Sequence, residues 1–323
     1  MSKFYKRILS PDRPDDPTIT SAAGFWDIRE HRLAKASGIW PNGIIPIINY
    51  LAIGGGGSGG NSTGGGTTSA GGAGGAGGLV VGSFGPTYKQ PGSIYGYTLT
   101  ITVGAGGQPN LSPADSGNNG SNSTISGEFF NTLGTLTAYG GGFGGGGQQY
   151  YNGTDGSAGG SGGGQGGYST GINPIVAAAA TQSSSTYGGY GNSGGKSSGL
   201  GGAGGGGAGG LPGAGSGGAG GAGLYVNVAN NSSYSAIFGR GGTQATDRLI
   251  VAGTAQGYGS GGNGGYDDAG KLSNRGGPGA DGVAIFWYSS DYPKPALISG
   301  TYTTTKENGY RIYKFTGNGT MTF

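Results

Sequence analysis

The sequence predicts a mainly β protein in which short strands run into packed, almost side-chain-free glycine tracts. Three observations predict it. Glycine supplies 86 of 323 residues, several tracts keep a three-residue period, and apolar strand-like runs lead straight into them. An average soluble domain has about 7 % glycine and about 25 % charged residues, so this composition lies outside that of ordinary enzymes. With 20 Tyr, 10 Phe and 3 Trp against only 17 basic and 14 acidic residues, it also differs from disordered chains, which combine high net charge with few aromatics.

Residues 1–46 precede the long glycine runs and have an ordinary composition. The stretch Ser10–Pro17, with Pro11, Pro14 and Pro17 among charged residues, favours an extended, solvated arm. A short helix is expected next. Asp27 can cap its N-terminus with Glu30 three residues on, Gly38 can take the left-handed C-terminal position, and Pro41 prevents its resumption. About ten residues are too few to hold a helix alone in water, so it should form only when docked. Phe25, Trp26, Ile39 and Trp40 flank it, and either cover the end of their own domain or plug into another protein.

Strands and glycine then alternate. Ile47–Ile53 reads as a strand running into Gly54. In Tyr95–Val103 the residues Tyr97, Leu99, Ile101 and Val103 alternate with threonines, the pattern of a half-buried strand. Leu133–Tyr139, Leu224–Val228, Arg248–Ala252 and Val283–Tyr288 are further candidates, the last apolar on both faces and so expected to be buried. Gly309–Phe315 and Gly319–Phe323, joined by Gly317-Asn318-Gly319, read as a hairpin.

Gly71–Leu79, the run from Gly201 and Gly217–Leu224 repeat as G-G-X with X mostly Ala, Ser or Gly. A polyproline II helix has three residues per turn, so this repeat sets X along one edge and leaves two faces bare. Bare faces let neighbouring tracts approach until backbone N–H and C=O groups pair between them, which satisfies groups that must be paired when buried. The expectation is a glycine-rich sandwich with a core of backbone, formed as a block.

Where tracts turn, the loops Gln148–Asn152, Tyr187–Tyr190 and Tyr266–Asp268 carry tyrosines and amides. Such residues give rigid contact area and adaptable hydrogen bonding, which makes Gln149, Tyr150, Tyr151, Asn152, Tyr187, Tyr190 and Tyr266 candidate receptor-binding residues; the alternative is that they cover the lattice edges. Catalysis is not expected. Cysteine is absent and His31 is the sole histidine, which leaves no thiolate or His-based metal centre and no nucleophile relay; no cofactor and no metal site are predicted. The many G-x-G-x-x-G matches carry no information at this glycine density, and Gly261–Asp267 matches a calcium repeat only in one imperfect copy. Asp15-Asp16 and Asp267-Asp268 are adjacent pairs that an extended chain points apart. A net charge of +3 with scattered Lys and Arg gives no nucleic-acid footprint. No run of about 18 apolar residues and no secretory signal are present, so membrane insertion is not expected.

Tyr50–Gly57, Tyr97–Gly107, the run from Gly140 and Gly279–Phe286, in that order, resemble the glycine-rich domain of bacteriophage tail fibre and adhesin proteins. Tyr310–Phe323 resembles a strand pair that this family often places first; here it comes last, and its partner is the same chain or a neighbouring subunit. Ala23–Glu30 and Gly38–Pro41 look like a segment recurrent in phage structural proteins. The resemblance implies a virion protein of the phage tail, assembled in the host cytoplasm, with stacked polyglycine II helices and host recognition by the loops between them.

The expected organisation is therefore residues 1–46 as a virion-attachment segment acting through Phe25, Trp26, Ile39 and Trp40, residues 47–290 as the glycine-rich body, and residues 291–323 as a C-terminal hairpin. Expected partners are other tail or virion proteins and a host surface glycan or outer-membrane protein. A homo-oligomer is expected, with a trimer the form that fibre proteins suggest, although no heptad establishes it. The alternative is an architectural tail or capsid decoration protein that binds no receptor.

Overall fold

The computed structural model describes residues 47–63, 69–85, 98–127, 135–148, 152–168, 177–182, 189–199, 201–213, 218–243, 257–266 and 275–323. Among them the regular elements are all strands: β1 (Ile48–Ile53), β2 (Leu79–Phe84), β3 (Thr98–Thr102), β4 (Ser123–Gly127), β5 (Leu136–Ala138), β6 (Gly189–Tyr190), β7 (Leu224–Val226), β8 (Ala236–Phe238), β9 (Val283–Ser289), β10 (Leu297–Glu307) and β11 (Tyr310–Thr322). The protein is thus mainly β. The helix expected after Asp27 and the strand expected at Arg248–Ala252 lie outside the described residues.

One antiparallel sheet runs in the order β5-β4-β3-β11-β9-β1-β2-β6, with β10 added on β11, and curls until it is nearly closed. The strands at the two ends of this order, β5 and β6, are very short, and the gap between them is bridged where the Gly78 N–H donates to Tyr139 O at 2.8 Å. Leu99 and Ile101 turn inward as their alternation predicts. On β9, Ala284, Phe286 and Tyr288 join Ile48, Tyr50, Phe315 and Met321 inside the curl. Val283, Ile285 and Trp287 face the other way, onto Val226 and Phe238 of the small β7–β8 sheet and Val228 of its connection. A strand apolar on both faces is the strand between two cores. Lys314, on that outer face, lies over the rings of Tyr234 and Tyr258 at 5.6 and 5.3 Å, fastening the small sheet to the large one.

The C-terminal segment differs from the expected hairpin. Gly309–Phe315 and Gly319–Phe323 do not pair with each other; their strand residues belong to one strand, β11, whose partner throughout is β10. The turn is Asn308-Gly309, both with positive φ (50° and 78°), the two-residue geometry that suits strand twist. Gly317-Asn318-Gly319 is instead a bend. Before it β11 pairs with β9, and after it with β3. Opposite the bend, Gly300 has φ 100° and the register of β10 shifts, a bulge that lets the ribbon fold over. Phe315 fills the bend, since a Cβ on Gly319 would lie 2.8 Å from its ring.

Beyond the sheet, the strands continue at one end as glycine tracts. The tract after β1 shows the rule. Gly54, Gly57 and Gly60 donate to Gly78, Gly75 and Gly72; Gly55, Ser58 and Asn61 to Ser121, Asn118 and Asp115; Gly56 and Gly59 to Ala280 and Gly277. Every third residue faces the same neighbour. The tract before β2 donates to tracts 259–265, 139–145 and 203–206, and accepts from 54–60, 161–167 and residue 242. Its X residues Ala70, Ala73 and Ala76 are fully buried, so the X edge is interior here rather than a surface row. Ser123 seals the boundary between sheet and lattice: its Oγ donates to Ile53 O at 2.7 Å and accepts from the Gly104 N–H at 2.9 Å.

The chain therefore has two poles. At one, the entry pole, lie Ile47, the Asn308-Gly309 turn and the ends of β2 and β9; at the other, the tract pole, the glycine tracts turn.

Burial, then the Tyr313 hydroxyl at 3.5 Å, hold the Tyr288 phenol well above its ordinary range. Burial does the same to Tyr313. The folded protein keeps both protons where an unfolded chain loses them, above about pH 10, so stability is lost as pH rises past that value. The melting temperature of the wild type should fall more steeply above pH 10 than that of Tyr288→Phe; parallel curves would contradict the coupling.

Candidate functional site

The tract pole is built from amides that finish the lattice. Asn61 is buried and holds three backbone groups: its Nδ2 donates to Asn110 O at 3.0 Å and Ser112 O at 2.5 Å, and its Oδ1 accepts from the Gly276 N–H at 2.9 Å. It thereby fixes the loop 109–116, where Asn110 Nδ2 donates to Ser116 O at 2.7 Å and the Ser116 hydroxyl meets that of Thr154 at 2.8 Å. Leu111 projects from this loop with 73 % of its surface exposed.

The same device recurs on the flanks. Asn119, Asn122 and Asn263 each present Oδ1 to a tract N–H, those of Phe143, Gly140 and Thr243, at 2.9, 2.8 and 3.0 Å. A side-chain amide stands in for the carbonyl of a missing neighbour, as a buried or bordering N–H requires. Many asparagines thus complete the edges of the lattice. A cleft of about 280 Å³ opens beside them between tracts 220–223, 240–243 and 260–263, with Arg240, Thr243 and Asn263 on its wall.

Of the expected recognition residues, Asn152, Tyr190 and Tyr266 are described. Asn152 is exposed and Tyr266 half-buried. Both lie at the tract pole: Gly265, before Tyr266, donates to Gly60 O at 2.8 Å, and Asn152 follows a tract whose Gly147 donates to Asn61 O at 2.8 Å. Tyr190 is elsewhere. It pairs with Leu79 on the edge strand β6, at the boundary of sheet and lattice. Gln149, Tyr150, Tyr151 and Tyr187 lie outside the described residues, as do Phe25, Trp26, Ile39 and Trp40.

Sequence reasoning passed over Asn61 and the loop 109–116. The signal available was Asn61 at the outer end of the first tract, a side chain longer than glycine or alanine at an otherwise bare position. Among the described residues, no group of three or more His, Asp and Glu is placed to hold a metal ion. What the pole offers is a rigid surface of short polar side chains and backbone, suited to recognition by hydrogen bonding and stacking rather than by deep enclosure.

A model of the glycine-rich domain family matches residues 39–289. No curated protein matches the chain.

Proposed function

The chain belongs to the glycine-rich domain family, and we propose that it is a phage virion structural protein, a tail fibre or tail-tip adhesin that attaches through residues 1–46 and presents its tract pole to the host surface. The observation that supports this is the separation of the poles: residues 1–46 join the body at Ile47, at the end of the sheet remote from the turns carrying Asn152, Tyr266 and Leu111. In this reading the tracts are polyglycine II helices, for which the three-residue alternation of hydrogen-bond partners is the support. The protein acts by binding, with no catalytic step, and the loops meet a glycan or an outer-membrane protein.

Deleting residues 1–41 tests the division of labour. The shortened protein is expected to melt as the full chain does, to bind host cells, and to be lost from particles. Continued incorporation would overturn the attachment role of the N-terminus. A body that binds no host cell would overturn recognition and leave a decoration protein.

A further inference from the structure

A second cavity lies at the entry pole, opposite the proposed recognition surface and independent of it. It has a volume of about 400 Å³ and is lined by Lys294, Lys306, Arg311, Tyr302, Thr304 and Tyr313, with Ile298 and Thr305 beside them. That volume is within the range of small-molecule sites. Its lining holds three cations and no carboxylate.

The placement of two of these cations is costly. Lys306 and Arg311 are directly opposite each other in the β10–β11 register, so their side chains leave the same face as close neighbours, and like charges in that relation destabilise a sheet. The acids nearby are turned to other work. Glu307 points to the other face, where its carboxylate accepts from the Asn231 amide, and Asp291 accepts from the Ser289 hydroxyl at 3.1 Å. Arg311 is held in place because its Nε–H donates to Tyr292 O at 2.9 Å; no described residue takes its outer Nη groups. On the same face, Thr304 stands opposite Tyr313 and Tyr302 opposite Phe315. Tyr302 lies tilted on Phe315, its ring centroid 5.6 Å away, and stays partly exposed.

We propose that this cavity binds an acidic sugar residue, its carboxylate or phosphate taken by Lys294, Lys306 and Arg311 and its ring laid against Tyr302. An anion relieves the repulsion of the facing cations. The aromatic ring suits the C–H face of a sugar, and Thr304, on the same face, brings a hydroxyl to meet one of its own. A bare phosphate would use the cations and leave the tyrosine and most of the volume unused.

The test is calorimetric titration of the full chain with tetragalacturonate, glucose 1-phosphate, maltotetraose, inorganic phosphate and a short polyglutamate peptide. The two acidic sugars separate a carboxylate from a phosphate source, and binding by at least one of them, weakened by salt, is expected. The double variant Lys294→Gln/Lys306→Gln changes exposed side chains and removes the charge facing Arg311, so the melting temperature should hold or rise, while that sugar binds more weakly on the order of tenfold. Equal binding of maltotetraose, tighter binding of inorganic phosphate or of polyglutamate, no binding of either acidic sugar, or affinity unchanged in the double variant would each overturn the proposal.

Discussion

Gly205→Ala is expected to prevent the glycine lattice from forming. A Cβ at this position would lie 2.0 Å from Gly74 O and 2.5 Å from its carbonyl carbon, and both belong to backbone held by hydrogen bonds on several sides. The Gly74 N–H donates to Gly262 O, and its carbonyl accepts from Gly242. A rotamer change cannot relieve such a contact. The tract must move, and each tract it touches must move with it, so the loss should exceed about 4 kcal/mol, the exceptional end for single changes. Gly210→Ala provides the contrast. There the nearest atom to an added Cβ is the methyl carbon of Ala222, at 3.6 Å. The same loss of unfolded-state freedom then acts alone and leaves stability unchanged or raised by about 0.4–1 kcal/mol. Thermal melts followed by circular dichroism separate the two, and similar curves would mean that the lattice is not closely packed in solution.

Phe315→Ala should cost about 3–5 kcal/mol, the range for emptying an aromatic site in a core. Its ring is fully buried, edge-on to Phe286 with centroids 6.0 Å apart, and fills the bend over Gly319. The loss falls on the one strand that joins the β3 side of the sheet to the β9 side. Chemical denaturation should report the destabilisation directly. Phe315→Leu, which keeps most of the volume, should lose less; if both variants melted alike, Phe315 would not be filling a packed site.

Much of the sheet was legible because its residues alternate or are apolar on both faces. Leu99 and Ile101 gave β3, and Val283–Tyr288 gave the strand between the two cores. Strands β2 and β10 were not legible for different reasons. β2 carries Gly82, a strand-weakening residue, which is explained only by Tyr50 on the neighbouring strand: a Cβ on Gly82 would lie 2.7 Å from that phenol oxygen. β10 is a run of mostly exposed residues, polar on both faces, so hydrophobic periodicity cannot reveal it. The hairpin was misplaced because two Asn-Gly pairs compete. Asn308-Gly309 turns the chain, while Asn318 uses its Oδ1 to accept from the Val103 N–H at 2.9 Å, a long-range partner that spacing does not contain. The same applies to the candidate sites. Composition marks amides and tyrosines as contact residues, yet Asn119, Asn122 and Asn263 serve neighbouring tracts. The facing cations of the entry pole become visible only once the true register of β10 and β11 is known.

The family match ends at Ser289, the last residue of β9, so the β10–β11 ribbon, whose β11 joins the β3 side of the sheet to the β9 side, lies outside it. The matched portion and this ribbon are separable in sequence while forming one sheet in space.

The alternation of partners every three residues sets a unit for growth. A tract lengthened by one or two residues would present the wrong N–H groups to all its neighbours, whereas three residues added to each of the adjoining tracts restore every pairing. In the polyglycine II geometry proposed for the tracts, each such increment would add about 9 Å to the body. The reach of the tract pole from the sheet is thus quantised, set in whole steps that leave the sheet, the cores and the entry pole as they are.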